Sequence, residues 1–267
     1  MFSDILGKIN MGLEIIQNVK NWPSVFLNYF GIMHNKFLTF KFRKGSIIKI
    51  RNIENKEDTS GLGMIWEIFI RRNYTPRGFE INLKDTVIDI GANIGIFSLY
   101  ASKIAKEGKI YSYEPFNIHY KRLSDNIQLN NLKNIFSFNL AVCEKKGKKD
   151  LFISNQSSGM HSLVFNNDSK EKISISCTTL KDIFKENKIK ECNFIKIDCE
   201  GSEYNILYNS PKNVLNKIKK IALEFDNIDK EKRNCLQLKK FLEQNGFEVK
   251  IRGAQQHQGI LYAKRLN

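Results

Sequence analysis

Residues 86–99, TVIDIGANIGIFSL, decide how this chain folds. A short apolar, β-branched run reaches Asp89, and Gly91 and Gly95 follow before an amphipathic segment. A parallel strand that is buried on both faces has this continuous apolar character, and glycines at its carboxyl end allow a tight turn beneath a ligand. The helix that follows presents its free N–H groups to that ligand. The stretch therefore predicts a site for a nucleotide-type cofactor.

The spacing of this turn disfavours a dinucleotide. A dinucleotide fingerprint that starts at Gly91 would have glycines where this chain has Asn93 and Ile96. The second glycine of that fingerprint lets a pyrophosphate approach the backbone closely. A side chain at Asn93 obstructs this approach and offers an amide to a smaller polar ligand.

Length and composition bound the class of protein. The 267 residues suffice for one large α/β domain and an N-terminal addition. The five cysteines are odd in number and never spaced as C-x-x-C, which indicates neither a disulfide framework nor a zinc site and favours a reducing cytoplasm. No apolar run approaches the roughly twenty residues that span a bilayer, and no secretory signal pattern is visible. Peripheral association with the inner face of a membrane and formation of a homodimer stay open.

The formal net charge is +15. Such a charge creates a positive field that attracts phosphate, anionic glycan, nucleic acid or acidic lipid. Lys, Asn and Ile are all abundant, which a coding bias toward A and T also produces. A functional and a merely compositional origin of the charge both stay open.

The patterns along the chain predict two parts. Residues 1–80 are expected to form a cap of two short helices, broken by Trp22 and Pro23, then two strands and a further helix. Residues 81–267 alternate strands with helices, which is typical of a doubly wound α/β sheet. An insertion, 143–178, is expected to form an antiparallel ribbon. The last two strands are joined by too few residues for a crossover helix and should pair antiparallel. The strands predicted for the resulting seven-stranded, mostly parallel sheet are 87–90, 109–114, 134–140, 193–198, 220–225, 247–251 and 259–263.

Acidic side chains follow two of these strands. Glu114 ends the second strand, at about the twenty-residue interval from the glycine turn at which a carboxylate binds ribose hydroxyls. The segment 194–207, FIKIDCEGSEYNIL, places Asp198 and Glu200 at the carboxyl edge, where open sheets bind ligands. Lys196 lies on the same strand face as Asp198. A buried cation needs an acidic partner, so Lys196 either pairs with a neighbouring acid or acts on a ligand, and both interpretations stay open.

Taken together, these stretches resemble the FkbM family of S-adenosylmethionine-dependent methyltransferases. The matching elements, in chain order, are VIDIGANIGIFSL, YSYEP, DNIQLNNLKNI, NLAV and IKIDCEGSEYNIL. The resemblance implies a class I methyltransferase fold that binds S-adenosyl-L-methionine, with the ribose on Glu114, the adenine near Asn139 and Ala141, and the homocysteine end near Asp198. It implies cofactor contacts in the glycine turn from Asp89, Gly91, Ala92, Asn93 and Gly95.

Methyl transfer to a hydroxyl calls for a general base or a metal, because the hydroxyl pKa is high. The predicted catalytic residues are His161, Asp198, Glu200 and Lys196, and His257 is a further candidate base. Strand-end acids also cap helices and hold ribose, so we predict no metal. An alternative Mg²⁺ site would use Asp198, Glu224, Asp226 and Asn227.

The expected function is O-methylation of a hydroxyl on a glycan, a nucleotide-linked sugar or a related polar metabolite, as in polysaccharide modification. An anionic acceptor is compatible with the positive charge. Methylation of RNA or DNA is the first alternative, but the chain has no N-P-P-[YF] or D-P-P-[YF] element, no paired catalytic cysteines and no RNA-binding module. The second alternative is a non-catalytic, membrane-associated protein that keeps the methyltransferase fold.

Overall fold

A computed structural model describes residues 2–51, 60–154, 169–199 and 201–266. The helices of this part of the chain are α1 Phe2–Asn18, α2 Trp22–Tyr29, α3 Ser60–Ile65, α4 Ile96–Ile104, α5 Asn117–Leu129, α6 Leu180–Glu186, α7 Glu203–Tyr208, α8 Lys212–Leu215 and α9 Cys235–Gln244. The strands are β1 Phe37–Lys41, β2 Ile47–Arg51, β3 Thr86–Ile90, β4 Lys109–Tyr113, β5 Ile135–Phe138, β6 Ala141–Val142, β7 Gly147–Ser154, β8 Ser169–Thr178, β9 Phe194–Ile197, β10 Lys220–Asp226, β11 Phe247–Arg252 and β12 Gln258–Arg265.

The main sheet confirms the predicted topology. Across the described ranges it has seven strands in the order β11-β12-β10-β9-β3-β4-β5. Strand β12 runs antiparallel to both of its neighbours, and the other pairs are parallel. Each predicted strand is present, with its bounds shifted by at most about two residues. The reversal follows from the short β11 to β12 connection, which cannot cross over the sheet.

The sheet positions a crevice at the carboxyl ends of its central strands. From β3 the chain continues to β4 on one side, whereas β9 pairs with the other side of β3. The strand order therefore reverses direction at β3. Where it reverses, the chain connections on the two faces of the sheet leave a gap, and open α/β sheets bind their ligands in that gap. The turns after β3, β4, β9 and β10 therefore meet around one crevice.

The N-terminal elements share a hydrophobic core with one face of the sheet. Ile15 of α1 and Phe40 of β1 belong to the same buried cluster as Val87 and Phe97. Strands β1 and β2 form the predicted hairpin. The expectation that Pro23 breaks the helical pattern is wrong in detail, because α2 begins at Trp22 and accepts a proline in its first turn. A domain boundary at residue 80 stays a prediction.

The insertion forms the predicted antiparallel ribbon, with β7 paired to β8, and β6 adds a short parallel pairing to β8. A π-helical turn, Trp66–Ile70, continues α3. Glu14 of α1 ties this turn down, since its carboxylate accepts hydrogen bonds from the side chains of Trp66 and Arg71 at 2.8 Å each. None of the described helices is long and apolar enough to cross a bilayer.

Candidate functional site

The turn after β3 has a left-handed backbone at three of its residues. Gly91, Asn93 and Gly95 have φ values of 71°, 51° and 89°. A β-carbon at Gly91 would overlap the backbone carbonyl of Asp198, and one at Gly95 would overlap the side chain of Leu123. Glycine is therefore required at both positions, because the turn packs directly against the residue that follows β9 and against α5. This requirement is independent of any ligand.

Glu114 holds this turn in place. Its carboxylate accepts hydrogen bonds from the backbone N–H groups of Asn93 at 2.7 Å and Phe116 at 2.9 Å. The side chain is buried, and burial raises the pKa of Glu114 to about 7 despite these two hydrogen bonds. Each carboxylate oxygen keeps a lone pair for a further donor, such as a ligand hydroxyl.

These groups surround a cleft of about 640 Å³, counting the space open to solvent at its mouth. The described lining includes the carboxylates of Glu114 and Asp198 but no Lys or Arg, so the cleft favours a neutral or cationic ligand over one that carries phosphates. The cleft is lined by Ile90, Gly91, Asn93, Tyr113, Glu114, Pro115, Phe116, His119, Ala141, Val142, Leu151, Asp198 and Cys199.

The predicted cofactor residues divide into two groups. Five of them line the cleft, namely Gly91, Asn93, Glu114, Ala141 and Asp198. The others support its walls. Asp89 is fully buried beneath the turn and accepts a hydrogen bond from Ser98, and the Asn139 amide donates to the backbone carbonyls of Glu114 and Pro115 at 2.9 Å each. Ala92 donates its N–H to the Tyr113 carbonyl, and Gly95 is the N-cap residue that precedes α4.

Lys196 is the centre of a buried ionic network. Its Nζ donates to the carbonyl of Gly91 at 2.7 Å and lies 3.4 Å from Asp89 Oδ1 and 3.2 Å from Asp198 Oδ2. Burial alone would lower the pKa of Lys196, but the Asp198 and Asp89 carboxylates outweigh burial and raise it above its ordinary value. The predicted acidic pairing of Lys196 is confirmed, and the side chain stays a cation that fixes the glycine turn. A catalytic role for it stays a prediction.

Other predicted residues lie outside this network. His161 and Glu200 fall outside the described residues. His257 is exposed, with Nδ1 3.8 Å from Asp226 Oδ1. The Asn227 amide is bound to the Gln256 carbonyl and the Cys235 N–H. Within the described ranges, no group of three or more His, Cys, Asp or Glu side chains is arranged to hold a metal ion.

The model of the methyltransferase FkbM domain matches residues 89–249, more than half of the chain. The chain belongs to the FkbM family of methyltransferases. The predicted family and the predicted class I fold are thereby confirmed. As a member of this family, the chain is an enzyme whose methyl donor is S-adenosylmethionine.

Curated relatives of this FkbM-family chain are distant. AmbE of Pseudomonas aeruginosa, an AMB antimetabolite synthetase, is 26% identical over 70% of this chain, which spans only 10% of AmbE. Methyltransferase 1 of Beauveria bassiana is 23% identical, with 69% of this chain and 80% of the relative covered. The 31-O-demethyl-FK506 methyltransferase FkbM of Streptomyces tacrolimicus is 25% identical, with 61% and 74% covered.

One solved structure similar to the FkbM-family chain is M. jannaschii TYW2 in complex with AdoMet. The two share 14% identity with a TM-score of 0.42, and 88% of this chain and 89% of that chain are covered. A SAM-dependent methyltransferase from Aquifex aeolicus has 15% identity and a TM-score of 0.42, with 79% and 95% covered. Both TM-scores lie below 0.5, so the fold assignment rests on the strand order and the family match.

A second cavity, of about 850 Å³ when the space open to solvent is counted, adjoins the cleft of this FkbM-family chain, and no sequence pattern predicted it. We name it the acceptor cavity for the role that we propose for it. Tyr74 lies at the junction of the two, because its buried hydroxyl is 3.1 Å from Asp198 Oδ2 in the cleft and 3.0 Å from Glu224 Oε2 in the acceptor cavity. The acceptor cavity is lined by Glu67, Asn73, Tyr74, Glu224, Arg252, Gly253, Gln256, Gln258, Gly259 and Ile260.

The Tyr74 hydroxyl lies within hydrogen-bonding distance of both carboxyl groups. A phenol has one proton, so it donates to only one of the two carboxylates at a time. Burial, Asp198 and Glu67 raise the pKa of Glu224 to about 7, although the bond from Tyr74 lowers it. Burial and Asp198 likewise raise the pKa of Glu67. Glu224 therefore gains and loses its proton near neutral pH, which is the property of an efficient general base.

Proposed function

We propose that this FkbM-family enzyme methylates a hydroxyl group of a glycan, a nucleotide-linked sugar or a related polar metabolite. The observation that carries the proposal is the Tyr74 hydroxyl, which bridges Asp198 in the cleft and Glu224 in the acceptor cavity. The bridge places a proton acceptor beside a polar cavity, one side chain away from the cleft. A hydroxyl nucleophile needs such an acceptor because its own pKa is high.

The cleft residues fit S-adenosylmethionine. Glu114 offers its carboxylate to ribose hydroxyls, Asn93 offers an amide, and Tyr113, Val142 and Leu151 give apolar walls for a planar base. The carboxylates suit the positive charge of the sulfonium and amino groups better than they suit a diphosphate. When bound, this cofactor supplies an electrophilic methyl group and leaves as an uncharged thioether.

We assign the proton transfer to Glu224. Its carboxylate faces the acceptor cavity and takes the proton that the acceptor hydroxyl loses, while Tyr74 positions it. Lys196 stays charged and holds the glycine turn, and Asp198 is held between Lys196 and Tyr74, so neither is the base in this scheme. His161 and Glu200 remain sequence-based candidates for catalytic residues.

The experiment has two stages. Calorimetry first measures S-adenosylhomocysteine binding to the full chain. The chain is then incubated with S-adenosylmethionine carrying a deuterated methyl group and with a panel of glycans, nucleotide sugars and polar metabolites, and mass spectrometry locates the methyl group. We expect it on an acceptor oxygen. Transfer to nitrogen or carbon, or no S-adenosylhomocysteine binding, would contradict the proposal.

A variant pair tests the base. Glu224→Gln should lower turnover by about 100-fold or more, the usual contribution of general base catalysis, and should leave S-adenosylhomocysteine affinity within about twofold. Glu243→Gln, which removes an exposed carboxylate of α9, is the control and should keep wild-type turnover. Equal turnover in the two variants would remove Glu224 from the mechanism.

We also propose that the enzyme works in the cytoplasm. One observation favours a membrane-associated or dimeric protein: helix α1 exposes the apolar side chains of Leu6, Ile9 and Leu13, each more than half accessible to solvent. An apolar row of this kind fits a membrane surface or a second copy. Flotation with anionic liposomes and sedimentation of the free chain distinguish these two outcomes.

The alternative function, methylation of nucleic acid, is disfavoured by the acidic side chains that line the cleft and the acceptor cavity, because they repel a polyanion.

A further inference from the structure

A third cavity, of about 850 Å³ when the space open to solvent is counted, lies next to the acceptor cavity, against β11 and β12. We call it the basic groove. Arg252 lines both cavities, so the two are neighbours on either side of its side chain. The basic groove is lined by Pro76, Arg77, Gly78, Phe79, Glu248, Lys250, Ile251, Arg252, Tyr262 and Lys264.

The groove carries more positive charge than the basic composition of the chain predicts. Four of its ten lining residues are Lys or Arg, compared with 43 of 267 in the whole chain. Its one carboxylate, Glu248, lies 3.3 Å from Lys250 and offsets a single charge. The side chains of Arg77, Arg252 and Lys264 add to the positive field at the rim.

The floor of the groove is apolar and firmly held. The rings of Phe79 and Tyr262 are buried and their centroids lie 5.3 Å apart. The Tyr262 hydroxyl donates to the backbone carbonyl of Asn73 at 2.5 Å, which fixes the wall shared with the acceptor cavity. An apolar floor beneath a cationic rim fits an organic anion, such as a phosphate ester, whose carbon skeleton covers the rings.

The opposite charges of the acceptor cavity and the basic groove favour one orientation of a ligand that spans both. In the acceptor cavity the two carboxyl groups of Glu67 and Glu224 outnumber the one cation, Arg252, among the described lining residues, and Asp198 lies just behind Tyr74. A phosphate is repelled there and attracted to the groove, whereas an uncharged hydroxyl is accepted beside Glu224. We infer that the methyl acceptor carries a phosphate or diphosphate group, which binds in the basic groove while its hydroxyl-bearing part passes Arg252 into the acceptor cavity. This inference rests on the proposed function and specifies its substrate class.

The test measures binding of defined probes to the full chain with S-adenosylhomocysteine present, by calorimetry at low and high salt. The probes are inorganic pyrophosphate, glucose 6-phosphate, uridine diphosphate, uridine diphosphate glucose and glucose. We expect at least one phosphate-bearing probe to bind, more weakly at high salt, and glucose not to bind. Tighter binding of the uridine compounds than of pyrophosphate would indicate a nucleotide-linked acceptor. Tighter binding of pyrophosphate than of the uridine compounds, or binding of glucose 6-phosphate, would indicate a simple phosphate ester.

Charge variants locate the site. Lys250→Gln combined with Lys264→Gln should weaken binding of the phosphate probe at least tenfold, and Lys250→Arg combined with Lys264→Arg should keep it within about threefold. Lys133→Gln combined with Lys190→Gln removes the same charge at exposed positions away from the groove and should change it less than twofold. Melting curves verify that all three double variants are folded.

Two results would overturn the inference. One is that no phosphate probe binds at millimolar concentration while S-adenosylhomocysteine binds normally. The other is that the control pair weakens probe binding as much as the groove pair, which would mean that only the net charge matters. Failure of wild-type chain to bind S-adenosylhomocysteine would instead count against the proposed function.

Discussion

The α-carbon of Gly91 lies directly against the backbone carbonyl of Asp198, so that a β-carbon at position 91 would overlap the carbonyl oxygen. This contact joins the turn after β3 to the exit of β9. Lys196 reinforces it by donating to the Gly91 carbonyl while it pairs with Asp198. The two central crossovers of the sheet are therefore fixed to each other before any ligand binds.

Gly91→Ala should disrupt this junction, and Gly45→Ala is a matched control. Both glycines have a left-handed backbone, with φ of 71° and 93°, but a β-carbon at Gly45 meets nothing within 4 Å. Gly45→Ala should therefore cost only the backbone strain, about 1 kcal/mol. Gly91→Ala should lower the free energy of unfolding by about 3 kcal/mol or more and abolish S-adenosylhomocysteine binding. Urea unfolding and calorimetry measure both, and equal losses in the two variants would contradict the packing argument.

Lys196→Met should leave two carboxylates without their buried counter-charge. We expect a loss of about 3 to 5 kcal/mol in the free energy of unfolding, since removing one partner of a buried ion pair has this effect. Adding Asp89→Asn should recover part of that loss, because Asp89 is fully buried and 3.4 Å from Lys196. Urea unfolding of the two single variants and the double variant gives the coupling energy. Additive losses would show that the pair does not interact.

Glu203 should make the protein less stable as the pH rises. The side chain is fully buried at the start of α7, where it accepts the Gly201 N–H at 2.9 Å, and burial raises the pKa of Glu203 to about 8. An unfolded glutamate loses its proton near pH 4.3, so between about pH 4.5 and 8 the unfolded chain binds fewer protons than the folded one. The free energy of unfolding then falls by up to roughly 1.4 kcal/mol per pH unit, and the loss is complete above pH 8.

Glu203→Gln should flatten this dependence, because its amide cannot ionise. Urea unfolding at pH 5.5, 7 and 8.5 compares the variant with the wild type, and Glu243→Gln controls for loss of an exposed glutamate. Glu114 and Glu224 add slopes of the same sign in every variant, so the difference between curves isolates Glu203. Parallel curves for Glu203→Gln and the wild type would refute the assignment.

The sheet was predictable because its signals are local. Each central strand is a short, continuous apolar run, and the acid after the run marks its carboxyl end, as at Glu114 and Asp198. The pairing of Lys196 was also predictable as one of two readings, since a cation in an apolar strand needs an acidic partner. The structure was needed only to identify the two acidic partners of Lys196.

The acceptor cavity was not predictable, because its residues are far apart in the chain. Tyr74 follows the cap without any periodic pattern, and Arg252 belongs to a hairpin almost 180 residues later. The sequence marks Glu224 as an acid near a strand end, as it does Asp226, and the hydrogen bond from Tyr74 is made to Glu224. When a hydroxyl contacts two carboxyl groups that are far from it in the chain, the sequence contains no characteristic spacing that would predict the contact.

Glu114→Gln should weaken cofactor binding more than it weakens the fold. A glutamine has one acceptor oxygen in place of two, so either the Asn93 or the Phe116 N–H loses its partner and the turn loses its shape. We expect a loss of about 2 kcal/mol, or roughly 30-fold, in S-adenosylhomocysteine affinity. Because the pKa of Glu114 is about 7 and the ionised carboxylate accepts ribose hydroxyls better, wild-type affinity should rise from pH 6 to 8. Calorimetry across this range, with Glu144→Gln in the ribbon as control, should find the rise in the wild type and the control but not in Glu114→Gln. A rise of the same size in all three chains would mean that another group binds the ribose.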